Sequence, residues 1–359
     1  MKTLINAAIT ILAAVGLMFI GRYYLQSSQG LTGESNIVNF YNWGDYIDPD
    51  LIDAFEEETG YVVVYETFDS NEAMLTKIQQ GGTNYDLIGP SEYMVENMLE
   101  LNLLEEIDHD KLPNLKHIDK KFLDQSFDPG NQYSVPYFWG TLGILYDTSQ
   151  IPEGEITSWN DLWKDKYRNQ IMIIDGAREV IGIGLQSEGH SLNETDSQLI
   201  EQATAKMKTL MPNILALLAD EIKMYASIGE APIAITYSGE AATAMDENED
   251  LAYMVPKEGS NIWFDTLAIP KGAKNVQGAH ALMDFLMRPD IAARNAEYIG
   301  YATPNKDAID LMDPEVINDP AFYPPQEITD HLEIYRNLGQ EKLIEYNDEY
   351  LRVKLEPRY

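Results

Sequence analysis

The sequence predicts an α/β protein of two lobes. Three observations carry that expectation. Strand-like and helix-like segments alternate from residue 36 onward, a second alternating series begins beyond Pro136-Tyr137-Phe138-Trp139-Gly140, and no Gly/Ser-rich or Pro-rich linker lies between the two series. The alternation implies a parallel sheet with crossover helices. A chain without a linker implies lobes joined by short crossing segments rather than independent modules.

Residues 36–43 (NIVNFYNW) read as a strand, and residues 50–58 place Leu51, Ile52 and Phe55 on one helical face before Gly60 ends it. Residues 61–68 (YVVVYETF) are a second strand, rich in β-branched and aromatic side chains. Residues 71–80 form a helix stopped by Gly81-Gly82, residues 86–88 a short buried strand, and Ser91 is placed to cap the next helix. In the second series, 170–174 and 231–237 are apolar strands, with helices around 179–185 and at 197–210. Farther on, 261–270 reads as a strand and 276–287 as a helix ended by Pro289.

Function enters through the loops. Trp43-Gly44-Asp45-Tyr46, Asp69-Ser70-Asn71-Glu72 and Ser91-Glu92-Tyr93 each follow the carboxyl end of a strand. Those ends line the ligand crevice of an open α/β sheet, so acidic and aromatic loops are brought to one cleft.

Charge narrows the choice of ligand. The chain of 359 residues has 25 Lys+Arg against 59 Asp+Glu, a formal net charge of −34. Such a surface repels phosphate backbones and makes nucleic acid a poor candidate partner, so none is expected. It concentrates small cations, although acidity that serves only solubility reads the same way. With Cys 0, disulfides, thiolate metal sites and thiol catalysis are ruled out. Five histidines are scattered without ligand spacing, so no metal and no cofactor is expected.

The first 30 residues stand apart. Lys2 precedes an apolar run over 4–20, Arg22 follows it, and no acidic residue occurs there. A signal peptide cut near Ser27 to Gly30 fits this pattern, and so does an uncleaved signal-anchor. The preferred reading of 1–30 is the anchor, because Arg22-Tyr23-Tyr24 is a poor cleavage site, with the remainder outside the cell membrane.

Trp263-Phe264-Asp265 is the most suggestive short segment. On a strand, residues two apart share a face, so the indole and the carboxylate project together. A Trp face attracts an ammonium and a carboxylate accepts its hydrogen bonds. Trp43 and Asp45, with Tyr46 adjacent, repeat the pattern, and Tyr237-Ser238-Gly239-Glu240 sets an aromatic near an acid at a strand-to-helix turn. For each acid a structural role is equally open: Glu240 and Glu179 both suit the first turn of a helix, and Arg178 is placed to pair with Glu179. Competing motifs fail. Leu251 stands where a calcium loop starting at Asp246 needs Gly, Gly182, Gly184 and Gly189 complete no dinucleotide fingerprint, and there is no phosphate loop or G-x-S-x-G turn.

Longer segments carry a resemblance. YNWGDYID (41–48), ETFDSNEAM (66–74), PSEYM (90–94), QSFDPGNQYSVPYFWGTLGILY (125–146), SWNDLWK (158–164), DGAREV (175–180), TYSGEA (236–241), WFDTLAIPK (263–271) and IGYATPN (299–305) follow one another in order. In these the chain resembles the polyamine-binding receptors of bacterial spermidine/putrescine ABC transporters, particularly those of Gram-positive bacteria. The resemblance implies a periplasmic-binding-protein-like fold of two α/β lobes with a ligand cleft between them. Lobe one is then 36–141 plus 264–309, and lobe two 142–263 plus 310–359. It implies a monomer with no catalytic residues that captures spermidine or putrescine and hands it to the membrane permease of an ABC importer. The ligand-binding residues it implies are Trp43, Asp45, Tyr46, Ser91, Tyr93, Glu179, Tyr237, Glu240, Trp263, Asp265 and Tyr301. Four positions depart from the family pattern, one of them Tyr237, which falls where the family usually has Trp. Gly176 stands where some spermidine receptors have Asp, Tyr335 lies near where some carry Gln, and Gly44 replaces a hydroxyl residue. The ligand class survives these departures, and the length of the polyamine is left open.

Overall fold

The computed structural model describes residues 36–357 except 82, 83, 220 and 321; the expected anchor at 1–30 lies outside the described residues. Strand β1 (Ile37–Trp43), helix α1 (Pro49–Thr59), β2 (Val62–Phe68), α2 (Asn71–Gln80), β3 (Leu87–Ile88) and α3 (Glu92–Glu100) follow in the expected order. Asp48 caps α1 by accepting the Asp50 N–H at 3.0 Å, with Pro49 in the first turn. Gly60 ends that helix in the left-handed region (φ 76°), a conformation that a side chain disfavours. Both β2 and β3 run parallel to β1, so each carboxyl end emerges on the same side.

Strand β4 (Ser134–Asp147) is buried along its whole length and was not foreseen as one continuous element. Its first part pairs antiparallel with β9 (Ile262–Ala268), and from Leu142 it pairs with β7 (Ile233–Tyr237) and β8 (Leu251–Met254). Between them lie β5 (Ile171–Ile174), α4 (Ala177–Ser187), α5 (Ser197–Leu210), β6 (Ile214–Leu218), α6 (Ile222–Ser227) and α7 (Ser238–Glu247). The sheet order is β2-β1-β3-β9-β4-β7-β5-β6, with β8 on β4. Hence β4 belongs to both halves of the molecule.

The packing divides where β4 changes partners. One buried cluster includes Phe40, Phe55, Phe138, Trp139, Leu267 and Met283; a second includes Leu142, Trp159, Ile173, Ile235 and Tyr346. Each is large enough to hold its own lobe, since apolar burial contributes about 25 cal/mol per Å². After β9 come α8 (Val276–Leu286), α9 (Pro289–Ile299) and, farther on, α10 (Gly339–Lys354). Pro289 does not merely end α8: it occupies the first turn of α9, where its missing N–H and fixed φ suit a helix start. The fold is periplasmic-binding-protein-like, two α/β lobes facing a cleft. Among the described residues, no helix is long and apolar enough to cross a membrane.

Candidate functional site

The cleft encloses about 590 Å³. All eleven residues singled out from the sequence line it. Three strand ends explain why: Trp43 closes β1, Tyr237 closes β7, and Ser91 with Tyr93 follows β3. Trp263 and Asp265, two apart on β9, both reach the cavity as strand parity requires. Asp45 sits in the exposed turn after β1 with φ 50°, a left-handed conformation that Asp tolerates better than most residues.

Three of the cleft's carboxylates each have a hydroxyl donor. Asp265 accepts from the Ser91 hydroxyl at 2.6 Å and from the Tyr46 hydroxyl. Glu179 accepts from the Tyr237 hydroxyl at 2.9 Å, and Glu240 from the Tyr301 hydroxyl at 3.0 and 3.1 Å. Neutral donors hold the carboxylates in place without cancelling their charge. A bound cation therefore meets acceptors already aimed and still negative.

Burial pushes the Asp265 carboxyl up to about 6, against the two hydroxyls, which pull it down. Desolvation chiefly, and then the neighbouring Asp265 charge, push the Tyr46 phenol well above its ordinary range, so it remains a donor. The same burial effect, with the Glu179 charge next, raises Tyr237.

Aromatic rings form the walls. Trp263 and Tyr301 pack edge to face with centroids 5.1 Å apart, Tyr237 and Trp263 at 6.2 Å, and Tyr46 and Tyr301 at 5.5 Å. On the side of β1, Trp43 tilts against Phe68 at 4.6 Å. Edge-to-face contacts fix the ring planes through their neighbours and contribute about 0.5–1.5 kcal/mol each beyond area burial. The indole N–H groups of Trp43 and Trp263 are buried without partners.

Two local expectations are corrected. Ser91 stands at the N-cap of α3, but its side chain makes no capping bond, because its hydroxyl is committed to Asp265. Asn71 holds that Ser91 geometry through its Nδ2–H to the hydroxyl at 3.1 Å, and reaches Tyr93 at 3.0 Å. Arg178 does not turn to Glu179. It donates to the Leu192 carbonyl and the Asn193 side chain and lies over the Tyr335 ring at 4.5 Å.

The departure at Gly176 has a steric reason. A Cβ there would stand 1.9 Å from Glu179 Oε2, so glycine is what lets the Glu179 carboxylate fold back over the start of α4. An aspartate at 176 would make the Glu179 carboxylate, the far end of a flexible side chain, swing away from this position.

Sequence reasoning passed over Glu92, Lys223, Asn261 and Phe68 as site residues, although all four line the cavity. Glu92 carried a weak signal, since it lies between two residues that were chosen. Lys223 and Asn261 carried none, because only the packing of distant elements brings them here. Among the described residues, no group of three or more His, Asp or Glu side chains converges as a metal-binding set.

The family model for bacterial extracellular solute-binding proteins matches residues 50–324. This chain belongs to that family. It is 39% identical over 340 residues to the spermidine/putrescine-binding periplasmic protein of Salmonella typhimurium, covering 94% of this chain and 97% of the relative. It is 30% identical over 345 residues to a putrescine/agmatine-binding protein of Pseudomonas aeruginosa, covering 91% and 92%. The spermidine/putrescine ABC transporter substrate-binding protein of Streptococcus pneumoniae superposes with a TM-score of 0.83 at 49% identity, over 90% of this chain and 99% of that one. Its relatives are solute-binding proteins of transport systems, not enzymes. Like the periplasmic proteins it matches, this solute-binding protein is extracytoplasmic.

Proposed function

We propose that this solute-binding protein captures a polyamine, spermidine or putrescine, and delivers it to the membrane permease of an ABC importer. The observation that carries the reading is the set of carboxylates Asp265, Glu179 and Glu240, each aimed by a neutral hydroxyl within one cage of Tyr and Trp rings. Polyamine ammoniums pair with the carboxylates, and the methylenes between them lie along the rings. Burying several cations is unfavourable unless each is paired, so several separate acids are what such a ligand requires. Relatives named for spermidine and putrescine support the same reading.

Trp43, Asp45, Tyr46, Ser91, Tyr93 and Asp265 act from the first core's side, while Glu179, Tyr237 and Glu240 act from the second. Trp263 and Tyr301 stand where the two meet. The lobes, 36–141 plus 264–309 and 142–263 plus 310–359, close on the ligand because only the closed form engages both sets. The protein acts as a monomer at the outer face of the cytoplasmic membrane, held there by the signal-anchor at 1–30.

A thermal-shift panel of polyamines, sugars, amino acids and divalent metals tests the reading. Stabilisation by spermidine or putrescine alone is expected. A chain that responds to none of the polyamines is not a polyamine receptor.

A further inference from the structure

Glu92 opens α3 and is 1% exposed. Its Oε2 accepts the Phe264 N–H at 2.9 Å, while its Oε1 is buried without a hydrogen-bond partner. Tyr335, 6% exposed, likewise has a buried hydroxyl with no partner. Both residues line the same cavity as Glu179. Tyr335 lies close enough to both Glu179 and Glu92 for their charges to act on its hydroxyl.

Buried polar atoms are nearly always hydrogen-bonded, and leaving one unmade costs about 1–3 kcal/mol. Two such atoms in one cavity wall, one of them on a carboxyl group, point to a polar occupant that supplies donors. Arg178 donates through its two Nη groups to the Arg336 and Leu192 carbonyls and to Asn193 and lies against the Tyr335 and Tyr346 rings; its Nε–H is buried without a partner and bonds neither Glu92 nor Tyr335.

We infer that Glu92 is an additional ligand-binding carboxylate of this cleft: its Oε1, together with the Tyr335 hydroxyl and the Glu179 carboxylate, receives one ammonium group of the bound polyamine. The inference rests on the polyamine reading above and deepens it.

The chemistry is distinctive because Glu92 starts as an acid. Burial pushes its carboxyl up to about 8; the Phe264 N–H opposes that, the Asp265 charge adds to it, and the Arg178 charge opposes it. The titratable and charged groups facing it are Asp265 on β9, Arg178 on α4, its neighbour Tyr93 on α3, and Tyr335 in the segment before α10. In the free protein at pH 7 the group is therefore neutral. An arriving ammonium favours the ionised form. The carboxyl proton leaves to solvent, the ammonium keeps its own protons, and its N–H donates to Oε1. Each ligand bound at pH 7 thus releases most of a proton from Glu92, since a group at about 8 is mainly protonated there.

A purely structural Glu92 would only accept the Phe264 N–H, and a glutamine amide oxygen does that equally well. Glu92→Gln therefore separates the two roles. The experiment is calorimetry of spermidine binding to the full chain at pH 7, in phosphate and in Tris, whose ionisation enthalpies differ widely. For the wild type, the enthalpy difference is expected to report close to one proton released. For E92Q it should report almost none, with affinity reduced by about tenfold. The affinity gap should widen from pH 7 to pH 8, since only the wild type stops having to release a proton. The ligand's own titration cancels in the comparison of the two proteins.

Equal proton release and equal affinity in the two proteins would overturn the assignment. So would wild-type binding whose enthalpy is the same in both buffers, which needs no variant at all. Tyr335→Phe, which removes only the hydroxyl, should weaken binding by severalfold without altering proton release. A wild-type chain that binds neither spermidine nor putrescine fails at the earlier step and removes the functional reading itself.

Discussion

Tyr301 occupies the space where a side chain on Gly239 would begin: a Cβ there would stand 1.5 Å from Tyr301 Cε1. From that position the Tyr301 hydroxyl reaches Glu240, one residue farther along α7, at 3.0 Å. A ring that caps the backbone at the start of the helix therefore orients one of the cleft's acids.

Gly239→Ala tests this contact against local propensity. In an ordinary helix the change stabilises by up to about 1 kcal/mol. Here it must displace Tyr301 and release Glu240. Spermidine affinity is expected to fall by about tenfold or more in calorimetry, with no rise in melting temperature. A more stable protein with unchanged affinity would show that the contact has no part in binding.

Much of this was legible in the sequence, and the reasons are local. Trp263 and Asp265 follow strand parity, and Trp43 and Ser91 follow strand ends. Strand β4 was not legible as one element, because Pro136, Gly140 and Gly143 interrupt its apolar pattern; the structure absorbs Pro136 at an irregularity in the β4–β9 register. Glu92 was not read as a site residue, and only its burial and its single hydrogen bond from the Phe264 N–H reveal an oxygen left over. Lys223 reaches the cleft from α6 through tertiary packing alone.

Asp265 should destabilise the ligand-free protein at neutral pH. Its folded-state value of about 6 lies above the ordinary value of 3.8. A carboxyl raised in this way contributes stability that is fully present below about pH 4 and is lost as pH rises through about 6. Asp265→Asn removes the charge and should stabilise the free protein at pH 7.5 by up to roughly 3 kcal/mol, two pKa units' worth. The same variant should bind spermidine about a hundredfold more weakly, because an ammonium loses its partner. Denaturant unfolding between pH 4 and 8 gives the first figure and calorimetry the second. A variant less stable than wild type at pH 7.5 contradicts the stability half.

Ligand binding responds to pH in the opposite sense. Asp265 must be ionised to pair with an ammonium, so wild-type affinity should fall as pH drops below about 6, by as much as tenfold per unit. Asp265→Asn should remove its share of that slope, leaving only the part that Glu92 contributes. Glu92 adds a slope of its own from about pH 8 downward, so the Asp265 limb is best read in E92Q, which should retain it below about pH 6. A profile flat from pH 7 to 5 in the wild type would mean that Asp265 does not pair with the ligand.

Arrival and departure of the ligand should depend differently on salt. With a net charge of −34, the chain attracts a multivalent cation from beyond contact distance. The screening length falls from about 30 Å at 0.01 M to about 8 Å at 0.15 M ionic strength, so most of that steering is lost. Of the carboxylates proposed to hold the ligand, Asp265 and Glu240 are buried, and their pairings would be screened far less. The association rate should therefore fall severalfold across that range, while the dissociation rate changes by less than about twofold. Trp43 and Trp263, both at the cleft, provide a fluorescence signal for stopped-flow measurement. If added salt instead raised the dissociation rate and left association unchanged, the ion pairs would have to lie in solvent rather than within the closed cleft.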